Sequence, residues 1–498
     1  MFAVAVALYL PTARHGFVQD DWAIVALNPA AHSPAAALRA ADDSYWPPPA
    51  EAGLWRPLTI LSFAVDWTVS DGRVGWLHVA NALWHGLASA LVCVLLARWL
   101  PRRGAVAAGL VFAVHPVHVE AVAGLVGRAE LLVAVALLGA VLAARNRRWV
   151  GALVLAAAAM LAKESGAVVG LVILAYCWLD REVAPPPRWF VAGLISLTLG
   201  YLLAWWAIGG AGASDVAAPF IGATMRDRLP LALSAVWRAG LLLLWPARLS
   251  VDYGPQVIPV PSGVMAAALG LALTGIVITT VWWSRRRAPQ LAWAGAAAAL
   301  AYVPASNLIV ASGVVLAERN LYVAVVLPAA LAAIAIARTE RLAGRHAALA
   351  LTAVVVGALA IRSGERLPDW RSNRTHLLGL LTDHPESVRG QVWAAAVLVG
   401  MGDTAAARDR YARAIALYDR DPHVLGSAAL FHLAQGDSVA AADLARRARR
   451  ILPREREALR VQYLLARAAG DTAGANALSD SIGRWYRRGR ELYAPSSQ

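Results

Sequence analysis

Long apolar runs, broken by clusters of arginine, constrain this chain more than any other feature. Stretches near 78–99, 104–121, 129–144, 149–162, 165–179, 189–208, 263–283, 289–305, 321–337 and 346–361 carry almost no charge. A bilayer core takes roughly 20 apolar residues per helix. Another apolar run lies near 229–246. Only 16% of the 498 residues are charged, against about 25% in a soluble globular chain, and mean hydropathy is +0.54. A soluble enzyme is excluded, as are disordered and collagen-like chains. A disulfide framework is excluded too, because Cys93 and Cys177 are the only cysteines and sit in apolar runs, where a thiol is a small hydrophobe. The predicted fold class is an all-α polytopic membrane helix bundle of about 10–12 spans.

The arginine clusters set the expected sidedness. Arg98, Arg102 and Arg103 mark one cytoplasmic loop, and Arg145, Arg147 and Arg148 a second; Arg181–Arg188, Arg285–Arg287 and Arg338–Arg345 mark three more. Basic residues between apolar runs fit membrane headgroups, and no basic, aromatic-interleaved surface points to nucleic acid. Parity is consistent except at 229–246, which is expected to be re-entrant, to lie on the membrane surface, or to belong to a pair. The run from Met1 to Pro11 lacks a basic n-region and a cleavage site. It is expected to be a first transmembrane helix with residues missing ahead of it. Loop 14–77, the ends carrying His115–Glu120, Lys163–Glu164 and Glu318–Arg319, and the tail beyond Ile361 then share the extracytoplasmic face.

Beyond Arg362 the pattern becomes soluble, helical and rich in Ala and Arg. Gly402-Asp403, Gly436-Asp437 and Gly470-Asp471 recur, each between an apolar helix and an Ala-rich one. The spacing, 34 residues both times (436 − 402 and 470 − 436), is that of tetratricopeptide repeats. Glycine supplies the tight turn, and Asp or Thr caps the next helix. The expected domains are a membrane domain, 1–361, and a repeat domain, 362–498, of about three units whose groove binds an extended peptide.

Several polar groups interrupt apolar sequence, where ionisable residues are costly and mark function by default. Asp20-Asp21 is either a solvated turn or a base pair in which one carboxylate raises the pKa of the other. His115, His118, Glu120, Arg128 and Glu130 close one span. The two histidines suit hydrogen bonds to a sugar or phosphate better than zinc, since Pro116 interrupts the helix and a third ligand is missing. Lys163, the only lysine, stands beside Glu164, as either a local ion pair or a compact ammonium with a task. Glu318-Arg319 sits at another outer end, and His78, Asn81 and His85 share one helix face suited to packing.

Together these residues resemble the transmembrane and tetratricopeptide-repeat-containing (TMTC) family. The resemblance covers most of the chain, through Phe17-Val18-Gln19-Asp20-Asp21, Trp55-Arg56-Pro57-Leu58-Thr59, Phe112 to Gly124 with its His115-Pro116-Val117-His118 core, and Val126-Gly127-Arg128-Ala129-Glu130. It continues through Ala162-Lys163-Glu164, Leu249-Ser250-Val251-Asp252-Tyr253, Val303-Pro304-Ala305-Ser306-Asn307 and Ala317-Glu318-Arg319-Asn320-Leu321-Tyr322. It implies a GT-C glycosyltransferase fold and transfer of mannose from a polyprenyl-phosphate donor to protein Ser or Thr. Glu130 departs from the family's Asp at its position. A bacterial-looking composition makes the donor an undecaprenyl phosphate sugar in an inner membrane, with mannose or another hexose.

On that resemblance Asp20 or Asp21 is the base in an inverting reaction. Arg128, Lys163 and Arg319 stabilise the leaving lipid phosphate, while Glu120, Glu130, Glu164 and Glu318, with His115, His118 and Arg56, orient the cations or bind sugar. The scheme requires no metal, though two carboxylates could hold a divalent ion. The partners are the lipid-linked donor, an extracytoplasmic acceptor protein in the repeat groove, and membrane lipid. The alternatives are a repeat scaffold without catalysis, or a lipid-linked-sugar flippase, which would show inverted repeats and broken helices near mid-membrane.

Overall fold

A computed structural model of the chain describes residues 1–47, 53–180, 182–183, 185–208, 216–260 and 263–485. Arg181 of the third basic cluster, residues 48–52 of loop 14–77 and residues 486–498 of the C-terminal region lie outside it. The protein is an all-α polytopic membrane protein. Among the described residues, five helices are long and apolar enough to cross a bilayer: Val74–Leu96, Leu125–Arg145, Arg188–Ala207, Val264–Ser284 and Val323–Trp370. Shorter apolar helices, Phe2–Arg14, Trp149–Ala162 and Glu164–Leu179, pack among them.

Most departures from the sequence reading fall where the backbone breaks. The run 104–121 is a bent pair, Arg102–Val114 and Pro116–Ala123, meeting at 46°. Proline disfavours helical geometry in the residue before it, and His115 is extended, with φ −70° and ψ 127°. Lys163 is likewise extended between Trp149–Ala162 and the turn that opens at Glu164. The runs 321–337 and 346–361 form one long element, Val326–Arg366, interrupted at Gly344 (φ 85°). Its helix runs past Ile361 to Arg366. These breaks free backbone N–H groups at the ends of spans, and the polar side chains cluster there.

The unplaced run 229–246 is the helix Met225–Leu244, and it crosses Val264–Ser284 at close range. A Cβ on Gly270 would lie 1.9 Å from the Leu233 carbonyl, and one on Gly240 would lie 2.3 Å from the Leu273 side chain. Only small residues allow this approach, as in membrane helix packing generally.

After the turn Leu367–Trp370 and the helix Asn373–Asp383, the 34-residue period becomes three helical hairpins. They are Val388–Gly400 with Thr404–Leu417, Pro422–Ala434 with Ser438–Ile451, and Arg456–Ala468 with Thr472–Trp485. Gly402, Gly436 and Gly470 hold φ of 81°, 80° and 76°, the left-handed conformation glycine adopts without strain. Asp403 and Asp437 accept the amides of Ala406 and Ala440, and Asp471 that of Gly474. The hairpins are tied to the membrane body: Gln256 Nε2 donates to Leu417 O at 2.7 Å, and Ser387 Oγ to Asp252 Oδ2 at 3.0 Å.

Candidate active site

Three ion pairs gather where the broken spans meet the loop that follows the first helix. Arg56, ahead of helix Pro57–Ser70, donates to Glu164 through Nε (3.0 Å) and Nη2 (2.9 Å). Lys163 pairs with Glu130 and donates to Asn320 Oδ1 at 3.1 Å. Arg319 Nη1 lies 2.6 Å from Glu120 Oε1. Lys163 lies close enough to Arg56 and Arg319 for the three cations to repel one another. Each is held by a carboxylate from a different segment. A desolvated cation kept near a matching anion remains charged at far lower cost than one alone.

The acids also organise the backbone. Glu120 Oε2 accepts the amide of Arg319 at 2.9 Å, and Glu164 Oε1 that of Trp55 at 3.2 Å. Asp21 accepts the amides of Val18 and Val126, both at 3.0 Å, and so pins the loop to the turn that opens span Leu125–Arg145. Glu318 accepts from the Ser250 amide and the Tyr253 hydroxyl, each at 2.7 Å. Each of these carboxylates therefore satisfies at least one main-chain amide, of a loop or of a helix end, from a distant or neighbouring segment.

The structure separates the two adjacent aspartates. Asp21 borders the same cavity as Asp20 but is 1% exposed, its carboxylate spent on backbone amides. Asp20 lies on the wall of that cavity with Glu120 and Arg319, and no hydrogen bond reaches its carboxylate from any described residue. It is near enough to Arg319 for the two charges to attract. The residue before it, Gln19, has φ 50°, a strained conformation for a side-chain-bearing residue. Its amide is held at 2.7 Å by Asn373 Oδ1, from the chain beyond the membrane helices.

Other expected site residues serve packing. Arg128, expected to face the leaving phosphate, is 0% exposed. It donates to Asn81 Oδ1 and Leu77 O at 2.7 Å, pairs with Asp66, and lies over the Phe63 ring. It stitches Pro57–Ser70, Val74–Leu96 and Leu125–Arg145 together and has no reach toward the cavity. His115 Nε2 bonds to Leu243 O and His118 Nε2 to Tyr322 O, both at 3.1 Å. Both rings are buried away from the cavity wall. The polar groups expected there to take sugar or phosphate are instead tying broken helices together. Glu318 is buried on Ser250 and Tyr253 rather than facing the cavity.

Sequence reasoning missed Asp66, Trp370 and Arg389, and Asn320 was visible only as part of the resemblance. Asp66 was legible as an acid within an apolar stretch, Val65-Asp66-Trp67. Arg389 carried no signal among the many arginines beyond the membrane helices. Asp252 and Tyr253 were visible only as part of the resemblance.

Burial raises Asp21 from the usual carboxylate range to about 7, against the two amides that favour its charged form. Burial likewise raises Glu318 to about 7. The native protein thus holds these protons up to about pH 7, whereas an unfolded chain releases them near ~4. The associated stability is complete below ~4 and is lost as pH rises through about 7. The thermal midpoint in detergent should therefore fall between pH 5 and pH 8. Asp21→Asn, uncharged throughout, should shallow that slope and leave the Glu318 share; an unchanged slope would show that Asp21 does not titrate there.

The fold and site together define a polytopic membrane protein with an ion-paired polar cavity at the ends of its spans, joined to helical hairpins. Curated proteins with related sequences are named protein O-mannosyl-transferases. The chain is 38% identical over 188 residues to the protein O-mannosyl-transferase Tmtc1 of Drosophila melanogaster, covering 35% of this chain and 22% of that protein. It is 31% identical over 206 residues to mouse TMTC3, covering 38% and 22%, and 31% identical over 393 residues to mouse TMTC4, covering 64% and 52%. The match thus spans about a fifth of the first two relatives and about half of the third. No protein-family model matches the chain.

Proposed function

We propose that this chain is a TMTC-type, GT-C-fold protein O-glycosyltransferase that moves mannose, or another hexose, from a polyprenyl phosphate to Ser or Thr of extracytoplasmic proteins with inversion. The observation that carries this reading is the Asp20 carboxylate, without a hydrogen bond from any described residue, beside Arg319 in the cavity; the ion-paired Lys163 and Arg56 lie off the cavity wall, within charge range of Arg319. The relatives' names, protein O-mannosyl-transferase, support the same chemistry.

In this reaction the acceptor hydroxyl oxygen bonds to the anomeric carbon, and the bond from that carbon to the phosphate oxygen breaks. The hydroxyl proton passes to Asp20, and the electron pair leaves with the lipid phosphate. Preorganised cations aimed at developing charge are the largest source of such catalysis. Arg319, Lys163 and Arg56 supply them, with Glu120, Glu130 and Glu164 fixing their positions. The polyprenyl tail lies between helices, and the cavity faces the extracytoplasmic side of a bacterial inner membrane. Asp21, Arg128, His115, His118 and Glu318 hold the scaffold that aims these groups.

The test offers the purified chain a panel of polyprenyl-phosphate hexoses with a Ser/Thr-containing peptide, and reads the anomer of the glycosylated product. The expected product is a single glycopeptide of inverted configuration. Absence of glycopeptide with every donor in the panel would overturn the reading.

A further inference from the structure

The cavity wall is not built by the membrane helices alone. Trp370, from the turn that ends the last span, and Arg389, from the first hairpin helix, line it together with Asp20 and Arg319. Trp370 fits there because Gly124 has no side chain: a Cβ would lie 2.9 Å from the indole ring. Its indole N–H is buried without a partner among the described residues. Arg389 is 48% exposed, with Nε 3.7 Å from Asp252 Oδ1 and its guanidinium 5.7 Å from the Trp393 ring. That is a loose contact, beyond hydrogen-bond length, and it leaves most of the five donors of the fork uncommitted. Asp252, which also lines the cavity, accepts from Ser387 Oγ at 3.0 Å through Oδ2 and keeps its charge near Arg389, so an incoming carboxylate would share the guanidinium with it.

The cavity thus carries, besides the paired Glu120 and Arg319, an Asp20 carboxylate without a hydrogen bond from any described residue and, from the end of the last span and the chain beyond it, the N–H donors of Trp370 and Arg389. We propose that Arg389, with Trp370, forms an acceptor subsite that recognises a carboxylate side chain of the acceptor polypeptide near the hydroxyl being glycosylated. The assignment rests on the transferase reading for its reaction but not for its binding. Arginine's planar fork suits a carboxylate in two-point contact, which a lysine or a neutral residue does not reproduce. The membrane domain alone thus makes an incomplete site, and the hairpins select the acceptor by charge.

The experiment uses the full chain and three fluorescent peptides that differ only in a Glu, Ala or Lys beside a central Thr. Binding is read by anisotropy and transfer by kinetics. Wild type should prefer the Glu peptide to the Ala peptide by about tenfold in Kd. Arg389→Glu should reverse the preference toward Lys, and Arg389→Lys should keep part of the original. In transfer, the change should fall on the peptide KM while the donor KM stays unchanged. Equal binding of all three peptides by wild type, or a preference that survives Arg389→Glu, would overturn the subsite. Arg389-dependent binding without transfer from any donor would instead uphold the subsite and refute the transferase reading.

Discussion

Asp20→Asn is expected to lower turnover by about 10²–10⁴-fold, the span over which a positioned base acts, with little change in donor KM or thermal midpoint. The carboxylate lies on the cavity wall and receives no hydrogen bond from any described residue. Replacing it with an amide therefore removes no structural contact, and the loss falls on the step that takes the acceptor proton. Asp21→Asn provides the contrast. Its oxygens hold the Val18 and Val126 amides, so that substitution should loosen the loop and change stability together with activity. Steady-state kinetics beside thermal melts resolve the two. Equal damage to turnover by both variants, each at full stability, would mean that the aspartates act as one unit.

Arg128→Ala should have the largest effect on the fold. The guanidinium is fully buried and joins three helices through Asn81, Leu77 and Asp66. Removing it strands the Asp66 carboxylate and leaves the Asn81 and Leu77 oxygens short of a donor. Breaking a buried pair on one side costs about 3–5 kcal/mol, enough to prevent assembly or to depress the melting temperature sharply. The double change Arg128→Met with Asp66→Leu should recover part of that loss, because no unpaired charge then remains. Full stability in Arg128→Ala, with turnover lost, would instead return this arginine to the donor phosphate.

The contrast between Arg128 and Asp20 shows where sequence reading stops. Both are ionisable residues bordering apolar sequence, and both are read as functional on that ground. The partner decides between them, and Asp66 lies 62 residues away from Arg128. The three ion pairs have the same character: Arg56 finds Glu164 across 108 residues, and Arg319 finds Glu120 across 199. Pairing over such separations is a property of the packed bundle, and local pattern carries no trace of it. The hairpins are the opposite case. Their Gly-Asp turns are set by contacts within a few residues, a positive φ and an i to i+3 cap, so the 34-residue period shows both the elements and their junctions.

The membrane body falls between these extremes. Apolar length located the helices, of which five among the described residues are long enough to cross a bilayer, and the arginine clusters gave an expected sidedness that would put the polar ends on one face. The breaks at Lys163 and Gly344 fall between runs already separate in the sequence, and Pro116 marks the one at His115; what the sequence does not show is the geometry each break takes. At His115 and Lys163 the helix end becomes a place where an acid, Glu120 or Glu164, holds a foreign amide while pairing with a cation; Gly344 lies instead among the arginines Arg338–Arg345. Arg389 was invisible for a different reason: it is one of many arginines beyond the membrane helices, and only the fold carries it back to the cavity that holds Asp20.

Single-turnover release of polyprenyl phosphate from radiolabelled polyprenyl-phosphate-mannose tests the central claim most directly. The reaction should be run with wild type and with Asp20→Asn, each with and without a Ser/Thr peptide. Lipid phosphate is expected to appear in step with glycopeptide, only when peptide is present, and both should fall together in Asp20→Asn. Release that Asp20→Asn leaves untouched, or binding of the lipid with no release under any condition, would contradict it.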